Sequence, residues 1–109
     1  MSILGRILTE LLKNACKYTP LGEQITVTAC AKAEMIQISV TNSGVDIPAS
    51  ELPHVFEKFY RVPSADPWKQ GGTGLGLSLA KKRTEYLGGR IWVESASGRT
   101  CFTVELPIS

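Results

Sequence analysis

Residues 71–78, GGTGLGLS, run directly into an apolar-periodic segment, Leu75–Leu87. Glycine allows backbone angles and close approaches that a Cβ would block. A glycine-rich turn that opens a helix directs free N–H groups, and the positive end of the helix dipole, at one point, and such a point suits a phosphate. A glycine cluster alone fits an ordinary flexible loop before a helix equally well, so the rest of the chain has to decide.

This glycine stretch differs from the common nucleotide fingerprints. It lacks the Gly-Lys-Ser/Thr ending of a P-loop. The residues before it, 62–70, contain two prolines and do not read as a strand, and no strand–helix–strand unit surrounds it. A dinucleotide-binding fold of the doubly wound type is therefore not indicated.

Upstream, Ile3–Tyr18 has the period of an amphipathic helix. Its predicted core face consists of Leu4, Leu8, Leu11, Leu12 and Ala15. Beside that face Glu10, Asn14 and Tyr18 recur every four residues, next to Lys17, and therefore stack along one side of the helix. An acid, an amide, a lysine and a tyrosine on a strip that borders the core suggest a site, although a mixed polar flank remains the alternative.

Four segments alternate apolar and polar residues as half-buried strands do. They are Gln24–Ala31, Met35–Thr41, Ile91–Glu94 and Cys101–Leu106. Short turns, near residues 32–34 and at Ser97-Gly98, join them in pairs, so two antiparallel hairpins are expected. With both long helices on one face, the sequence predicts an α+β fold, a two-layer α/β sandwich with a mixed, mainly antiparallel sheet.

Length and composition limit the possible functions. The chain has 109 residues, 43% apolar and 20% charged, which suits a single globular domain over residues 1–109. Twelve basic and ten acidic side chains leave a net charge of +2. That charge gives no reason to expect a nucleic-acid partner. Three widely spaced cysteines indicate a reducing compartment, so we expect a cytoplasmic domain.

Four separated motifs, taken in order, resemble the ATP-binding catalytic domain of bacterial sensor histidine kinases, in the GHKL superfamily. Residues 10–20, ELLKNACKYTP, resemble the N box, and residues 42–48, NSGVDIP, resemble the G1 box. Residues 55–61, VFEKFYR, are similar to the F box, and residues 72–77, GTGLGL, to the G2 box. The sequence of residues 66–72 is also similar to that of multi-sensor kinases of cyanobacterial type.

This resemblance implies a Bergerat-type fold that binds ATP with Mg²⁺. Asn14 would be the protein ligand of Mg²⁺, and Glu10, one turn earlier, would order the metal's water or the γ-phosphate. Lys17 and Arg61 would reach phosphate oxygens, and Tyr18 would flank the adenine. The remaining residues expected to line the nucleotide are Asn42, Gly44, Asp46, Ile47, Phe59, Tyr60, Gly72, Thr73, Gly74, Leu75 and Gly76. Residues 62–71 would form a short ATP lid.

The chain departs from the family pattern at two positions. Asn42 stands where the G1 box usually has an aspartate that accepts from the adenine amino group, and Asp46 stands where its second glycine is usual. An amide oxygen still accepts that hydrogen bond, but neutral hydrogen bonds are about half as strong as charge-assisted ones. The expectation is Mg-ATP binding with reduced affinity.

The resemblance also implies partners. Histidine kinases phosphorylate a histidine on a dimerisation helix that precedes the N box, and they pass the phosphoryl group to a response regulator receiver domain. We expect this chain to be an N-terminally truncated piece that is monomeric and does not autophosphorylate alone. Two alternatives remain: a degenerate module that senses ATP without transfer, and a stand-alone GHKL serine kinase or an ATPase of the gyrase or MutL type.

Overall fold

The computed structural model describes residues 2–19, 21–44, 46–57 and 76–107. Within these ranges the helices are α1 (Ile3–Tyr18) and α2 (Gly76–Tyr86), and a short 3₁₀ turn spans Leu52–His54. The strands, in chain order, are β1 (Ile25–Lys32), β2 (Met35–Ser43), β3 (Arg90–Ala96) and β4 (Arg99–Pro107). No described helix combines the length and apolarity needed to cross a bilayer.

The predicted bounds of α1 are confirmed, and local hydrogen bonds explain them. The Ser2 hydroxyl accepts from the Gly5 N–H at 3.0 Å, which satisfies one of the free donors at the start of the helix. At the other end the Thr19 N–H donates to the Ala15 carbonyl at 2.9 Å, and Thr19 itself is extended. The residue before a proline disfavours helical angles, and Pro20 follows, so the helix ends there.

The four described strands form one sheet in the order β1-β2-β4-β3, and every neighbouring pair is antiparallel. Both predicted hairpins are confirmed, with their two-residue turns at Ala33-Glu34 and Ser97-Gly98. The long-range pairing of β2 with β4 joins the hairpins side by side. Successive residues of a strand point to opposite faces, so this register decides which side chains meet the helices.

Both helices pack on one face of the sheet, as predicted, with α1 against α2 and β2, and α2 also against β3. The core between the layers comprises Ile7, Leu11, Ala15, Val40, Ile47, Val55, Ala80, Phe102, Val104 and Leu106. Phe56 meets the Phe102 ring edge to face, with the centroids 5.9 Å apart. This core extends from α1 to the loop that leaves β2, and it therefore supports both regions that the sequence predicts to be functional.

The predicted core face of α1 was partly wrong. Ile7 is fully buried, whereas Leu12 is 39% exposed and lines an open groove along the helix. A helical wheel gives the width of an apolar stripe but not the rotation of the helix against its neighbours. Packing on α2 and β2 turns the helix toward Ile7, Leu11 and Ala15, and Leu12 is left at the rim.

The sheet is covered unevenly. Every residue of β1 is exposed, including Val27 at 52%, although Val27 lies on the same face as the buried Val40 with which it pairs. By contrast, every residue of β4 between its two exposed ends is buried or half-buried. The buried interior therefore lies under β2, β4 and β3, beside the ends of the strands where the candidate site begins.

Candidate nucleotide-binding site

Three polar side chains lie next to each other across the sheet, on the face that meets the helices. Asn42 of β2 pairs with Thr100 of β4, and Thr100 pairs with Ser95 of β3. The next row along these strands is apolar, namely Val40, Phe102 and Val93. The polar row (Asn42, Thr100 and Ser95) therefore marks the point where the apolar core ends and a polar site begins.

Within the polar row, Asn42 and Thr100 are almost fully buried, with 3% and 1% of their surfaces exposed. Thr100 shares a 2.8 Å hydrogen bond between its hydroxyl and that of Ser95. The Asn42 side-chain amide has no hydrogen-bond partner among the described residues. A buried polar group without a partner costs free energy, so such a group in a native protein calls for an explanation, and a bound ligand supplies one.

The loop that leaves β2 brings the other G1-like residues to the polar row. Gly44 has a φ of +77°, a conformation that favours glycine, and a Cβ built there would lie 2.5 Å from Cγ of Glu23. Ile47 is 8% exposed and belongs to the common core, and its N–H donates to the Ser95 hydroxyl at 2.7 Å. Asp46 is exposed, and its carboxylate accepts from the Gly98 N–H at 2.9 Å.

The helical layer supplies the opposite side of the candidate site. Glu10 of α1 is half-buried, and its carboxylate lies against Gly76, the first residue of α2. A Cβ at Gly76 would lie 2.5 Å from Oε2 of Glu10, so a larger residue there would push this flexible carboxylate aside. The predicted N-box acid and the predicted glycine-opened helix therefore meet, although they are far apart in the sequence.

Asn14 and Lys17 follow Glu10 on the same side of α1, and both are half-buried. In the described ranges, no group of three or more His, Cys, Asp and Glu side chains is arranged to hold a metal ion. The side-chain amide of Asn14 offers an oxygen ligand of the kind that Mg²⁺ accepts together with waters and substrate phosphates. The residues present thus fit a metal that is held largely by its nucleotide.

Several predicted site residues lie outside the described part of the structure. They are the Tyr18 side chain, Phe59, Tyr60, Arg61, Gly72, Thr73, Gly74 and Leu75, together with the predicted lid at residues 62–71. The structure therefore brings Glu10 next to Gly76, and Asp46 and Ile47 next to the polar row. The roles assigned to all of these residues stay predictions.

The sequence prediction missed Thr100 and Ser95. Each lies one residue outside a predicted strand, Ile91–Glu94 or Cys101–Leu106, and nothing in the local sequence separates them from other hydroxyl groups near strand ends. The available signal was the alternation in β4, because Thr100 has the same parity as the core residues Phe102 and Val104. Their position beside Asn42 depends on the pairing of β2 with β4, which sequence periodicity does not give.

The described residues form a four-stranded antiparallel sheet with two helices on one face, which is an α+β two-layer sandwich. A polar row lies at one end of this sheet, and an acid of α1 lies beside the start of α2. The chain belongs to the histidine kinase-, DNA gyrase B- and HSP90-like ATPase family, whose model matches residues 2–109. The family and the fold predicted from the four motifs are both confirmed.

Within this family, the chain is similar to sensor histidine kinases. The sensor histidine kinase WalK of Bacillus subtilis is 40% identical over 107 residues, which cover 95% of this chain and 18% of WalK. The solved structure of a mycobacterial sensor histidine kinase, MprB, superposes with a TM-score of 0.87 at 32% identity, covering 96% of this chain and 72% of that one. Histidine kinase ThkA, solved in complex with the response regulator TrrA, gives a TM-score of 0.78 at 27% identity, covering 97% of this chain and 28% of that one.

These similarities concern a catalytic domain within longer proteins. The chain spans less than a fifth of WalK. In family and in fold it corresponds to the ATPase catalytic domain of histidine protein kinases, and use of ATP follows from that family.

Proposed function

We propose that this domain binds Mg-ATP between α1 and the loop end of the sheet, and presents the γ-phosphate to a histidine on a separate dimerisation domain of its parent kinase. One observation carries the proposal, the contact between the Glu10 carboxylate and the start of α2 at Gly76. A helix start attracts phosphate through its free N–H groups and its dipole. The contact between Glu10 and Gly76 therefore supports a phosphate site at the start of α2 with an acid of α1 beside it.

The charges at this point support the assignment of a divalent cation. A phosphate at the start of α2 and the carboxylate of Glu10 repel each other in a low-dielectric cleft unless a cation lies near both. Asn14 is on the same side of α1 one turn further on and is the proposed protein ligand of Mg²⁺. The metal would supply charge neutralisation, and Glu10 would orient its water or the γ-phosphate. Lys17 and Arg61 would bind phosphate oxygens.

The adenine would bind at the polar row. The Asn42 amide oxygen is buried and accepts from no described group, so it fits the exocyclic amino group of adenine. Gly44, Asp46 and Ile47 form the loop beside it, and Tyr18, Phe59 and Tyr60 would line the base and the ribose. The phosphates would then extend toward residues 72–76, the backbone N–H groups of which would hold them.

The proposal includes partners that belong to a longer protein. The solved complex of ThkA with TrrA is a kinase bound to a response regulator, and this chain shares the ThkA fold. We extend the partnership to this chain, with a response regulator receiver domain as the final acceptor. Other expectations stay predictions. They are that the domain is cytoplasmic and monomeric, that it has no nucleic-acid partner, and that its parent is a kinase of the cyanobacterial multi-sensor type.

The test is transfer of label from γ-labelled ATP to a supplied histidine-bearing helical domain. We expect the acceptor to acquire an acid-labile, base-stable label in the presence of Mg²⁺, and this chain alone to stay unlabelled. Glu10→Gln should leave ATP binding within about threefold and lower transfer by about 100-fold or more, the range for loss of a catalytic acid–base or positioning group. Glu85→Gln, an exposed acid on α2, is the matched control.

A second function, ATP sensing without transfer, is favoured by Asn42 and Asp46 in place of the usual residues. The same assay separates the two. Nucleotide binding without label on any supplied histidine domain, but with a nucleotide-dependent change in partner binding, would favour the sensor. A stand-alone serine kinase would instead label a protein acceptor with an acid-stable phosphoester.

A further inference from the structure

The loop after β2 is tied to the β3–β4 hairpin by three hydrogen bonds, two to its turn and one to strand β3, here called the loop clamp. The Gly44 N–H donates to the Gly98 carbonyl at 2.7 Å, and the Gly98 N–H donates to Oδ1 of Asp46 at 2.9 Å. The Ile47 N–H donates to the Ser95 hydroxyl at 2.7 Å. Two of the three bonds involve a side chain, and these two can be removed by substitution without changing the backbone.

Gly98 engages the loop through both of its backbone groups. The β3–β4 turn consists of Ser97 and Gly98, and both have positive φ, +55° and +77°. Two-residue hairpin turns with positive φ at both positions match the twist of the strands and are well defined in shape. The turn is thus a fixed support, and the Asp46 carboxylate attaches the more irregular loop to it.

The clamp continues into the polar row. The Ser95 hydroxyl, which accepts from Ile47, also shares a hydrogen bond with the buried hydroxyl of Thr100 at 2.8 Å. Thr100 is the cross-strand neighbour of Asn42. The position of the loop is therefore coupled through hydrogen bonds to the row that carries the proposed adenine acceptor, over a path of adjacent residues.

We propose that Asp46 and Ser95 are positioning residues that hold the loop, and with it the adenine end of the site, in its binding shape. In this assignment Asp46 acts through Gly98 and does not contact the nucleotide. The inference rests on the proposed ATP site. It reverses the expectation from sequence that a carboxylate at this position weakens binding, because the carboxylate is already engaged by a backbone donor.

The test compares Asp46→Ala with Asp46→Asn, in which the amide Oδ1 still accepts from Gly98. Titration with Mg-ATP should show binding about three- to tenfold weaker for Asp46→Ala, the range for loss of one hydrogen bond, and within about twofold of wild type for Asp46→Asn. Ser95→Ala should resemble Asp46→Ala. Inorganic tripolyphosphate with Mg²⁺, which lacks the base, should bind all variants equally. Glu34→Ala, an exposed acid in the β1–β2 turn, is the control.

The two proposals fail in different ways. If wild type binds Mg-ATP and Asp46→Ala binds equally well or more tightly, the loop clamp is refuted while the ATP site stands. If wild type does not bind Mg-ATP, the proposed function is refuted, and amide exchange at Gly98 decides on the clamp. Faster exchange of the Gly98 amide in Asp46→Ala than in wild type, but not in Asp46→Asn, supports the loop clamp. Equal exchange in both variants overturns the loop clamp.

Discussion

The two ends of the proposed site are held in place by different kinds of structure. At the sheet end, strand pairing fixes Asn42, Thr100 and Ser95, and the loop clamp adds hydrogen bonds of backbone and side-chain groups. At the helix end, Glu10 reaches Gly76 only because α1 and α2 pack closely. Strand register is set by the pairing of whole strands and by turn geometry, whereas a helix–helix contact depends on the volume of each residue in it.

This difference suggests that the two ends of the proposed site have different functions. Substitutions at the sheet end should change the affinity for the adenine base and leave transfer from bound nucleotide largely intact. Substitutions at the helix end should change the placement of metal and phosphate, to which phosphoryl transfer is most sensitive, because its catalysis is mostly positioning and charge stabilisation.

Gly76→Ala, at the helix end, should have a larger effect than any substitution at the sheet end. The new methyl group would displace the flexible Glu10 carboxylate, with which it would otherwise collide. Because Gly76 is the first residue of α2 and not an interior one, the gain in helix propensity is partial, and stability should change by less than about 1 kcal/mol. Transfer to a histidine acceptor should drop about 10- to 100-fold, as for a misplaced catalytic group. Thermal unfolding and transfer assays measure the two effects.

Two further variants sharpen this result. Glu10→Asp in the Gly76→Ala background shortens the acid and should restore part of the transfer rate. Lys82→Ala, an exposed position on α2, should change neither property. Unaltered transfer by Gly76→Ala would mean that the contact between Glu10 and α2 has no functional importance.

A smaller effect, in the opposite direction, is expected for Asn42→Asp. A charge-assisted hydrogen bond to the adenine amino group exceeds a neutral one by about 1 kcal/mol, so Mg-ATP should bind about fivefold more tightly. Without nucleotide, the variant should lose about 1–3 kcal/mol of folding stability at neutral pH. The reason is that the new carboxylate would be buried with no hydrogen-bond donor among the described residues.

Calorimetric titration and denaturant unfolding test this pair of effects. Gln24→Glu makes the same chemical change at an exposed position and serves as the control. Weaker ATP binding by Asn42→Asp than by wild type would contradict the proposal that adenine binds at the polar row.

The smallest effect is expected on the opposite face of the sheet, remote from both ends of the site. Hydrogen bonds from Gln37 Nε2 at 2.7 Å and Arg90 Nε at 2.9 Å lower the pKa of the Glu105 carboxyl below its usual range. A group with a lowered folded-state pKa contributes stability above its unfolded pKa, about 4.3 for glutamate, and loses it as pH falls through the folded value.

Glu105→Gln should therefore lower the melting temperature slightly at pH 7, and the difference from wild type should shrink on acidification below about pH 4. Mg-ATP affinity should be unchanged. A change in nucleotide affinity, or a difference that grows at low pH, would contradict the separation of this face from the site.

Sequence reasoning predicted the parts of the molecule that depend on local periodicity and punctuation. The bounds of α1, the two hairpins and the layer arrangement follow from apolar spacing, Pro20 and Ser97-Gly98, and the structure confirms them. The family followed from four motifs in order. Each of these is encoded by neighbouring residues.

The missed features all depend on contacts between distant segments. The exposure of Leu12 depends on the rotation of α1 against α2 and β2. The polar row requires the β2–β4 register, and the engagement of Asp46 requires a turn 52 residues later in the chain. Periodicity carries no information on such pairings, so the engagement of Asp46 by a backbone donor could not be predicted from local pattern.

The most direct test of the central claim is calorimetric titration of ATP, with and without Mg²⁺, into wild type and Asn14→Ala. The account predicts Mg²⁺-dependent binding by wild type and a loss of about 100-fold or more in Asn14→Ala, since even groups that only support a metal ligand cost 10- to 100-fold. No binding by wild type at millimolar ATP, or equal Mg²⁺-dependent binding by both proteins, would contradict it.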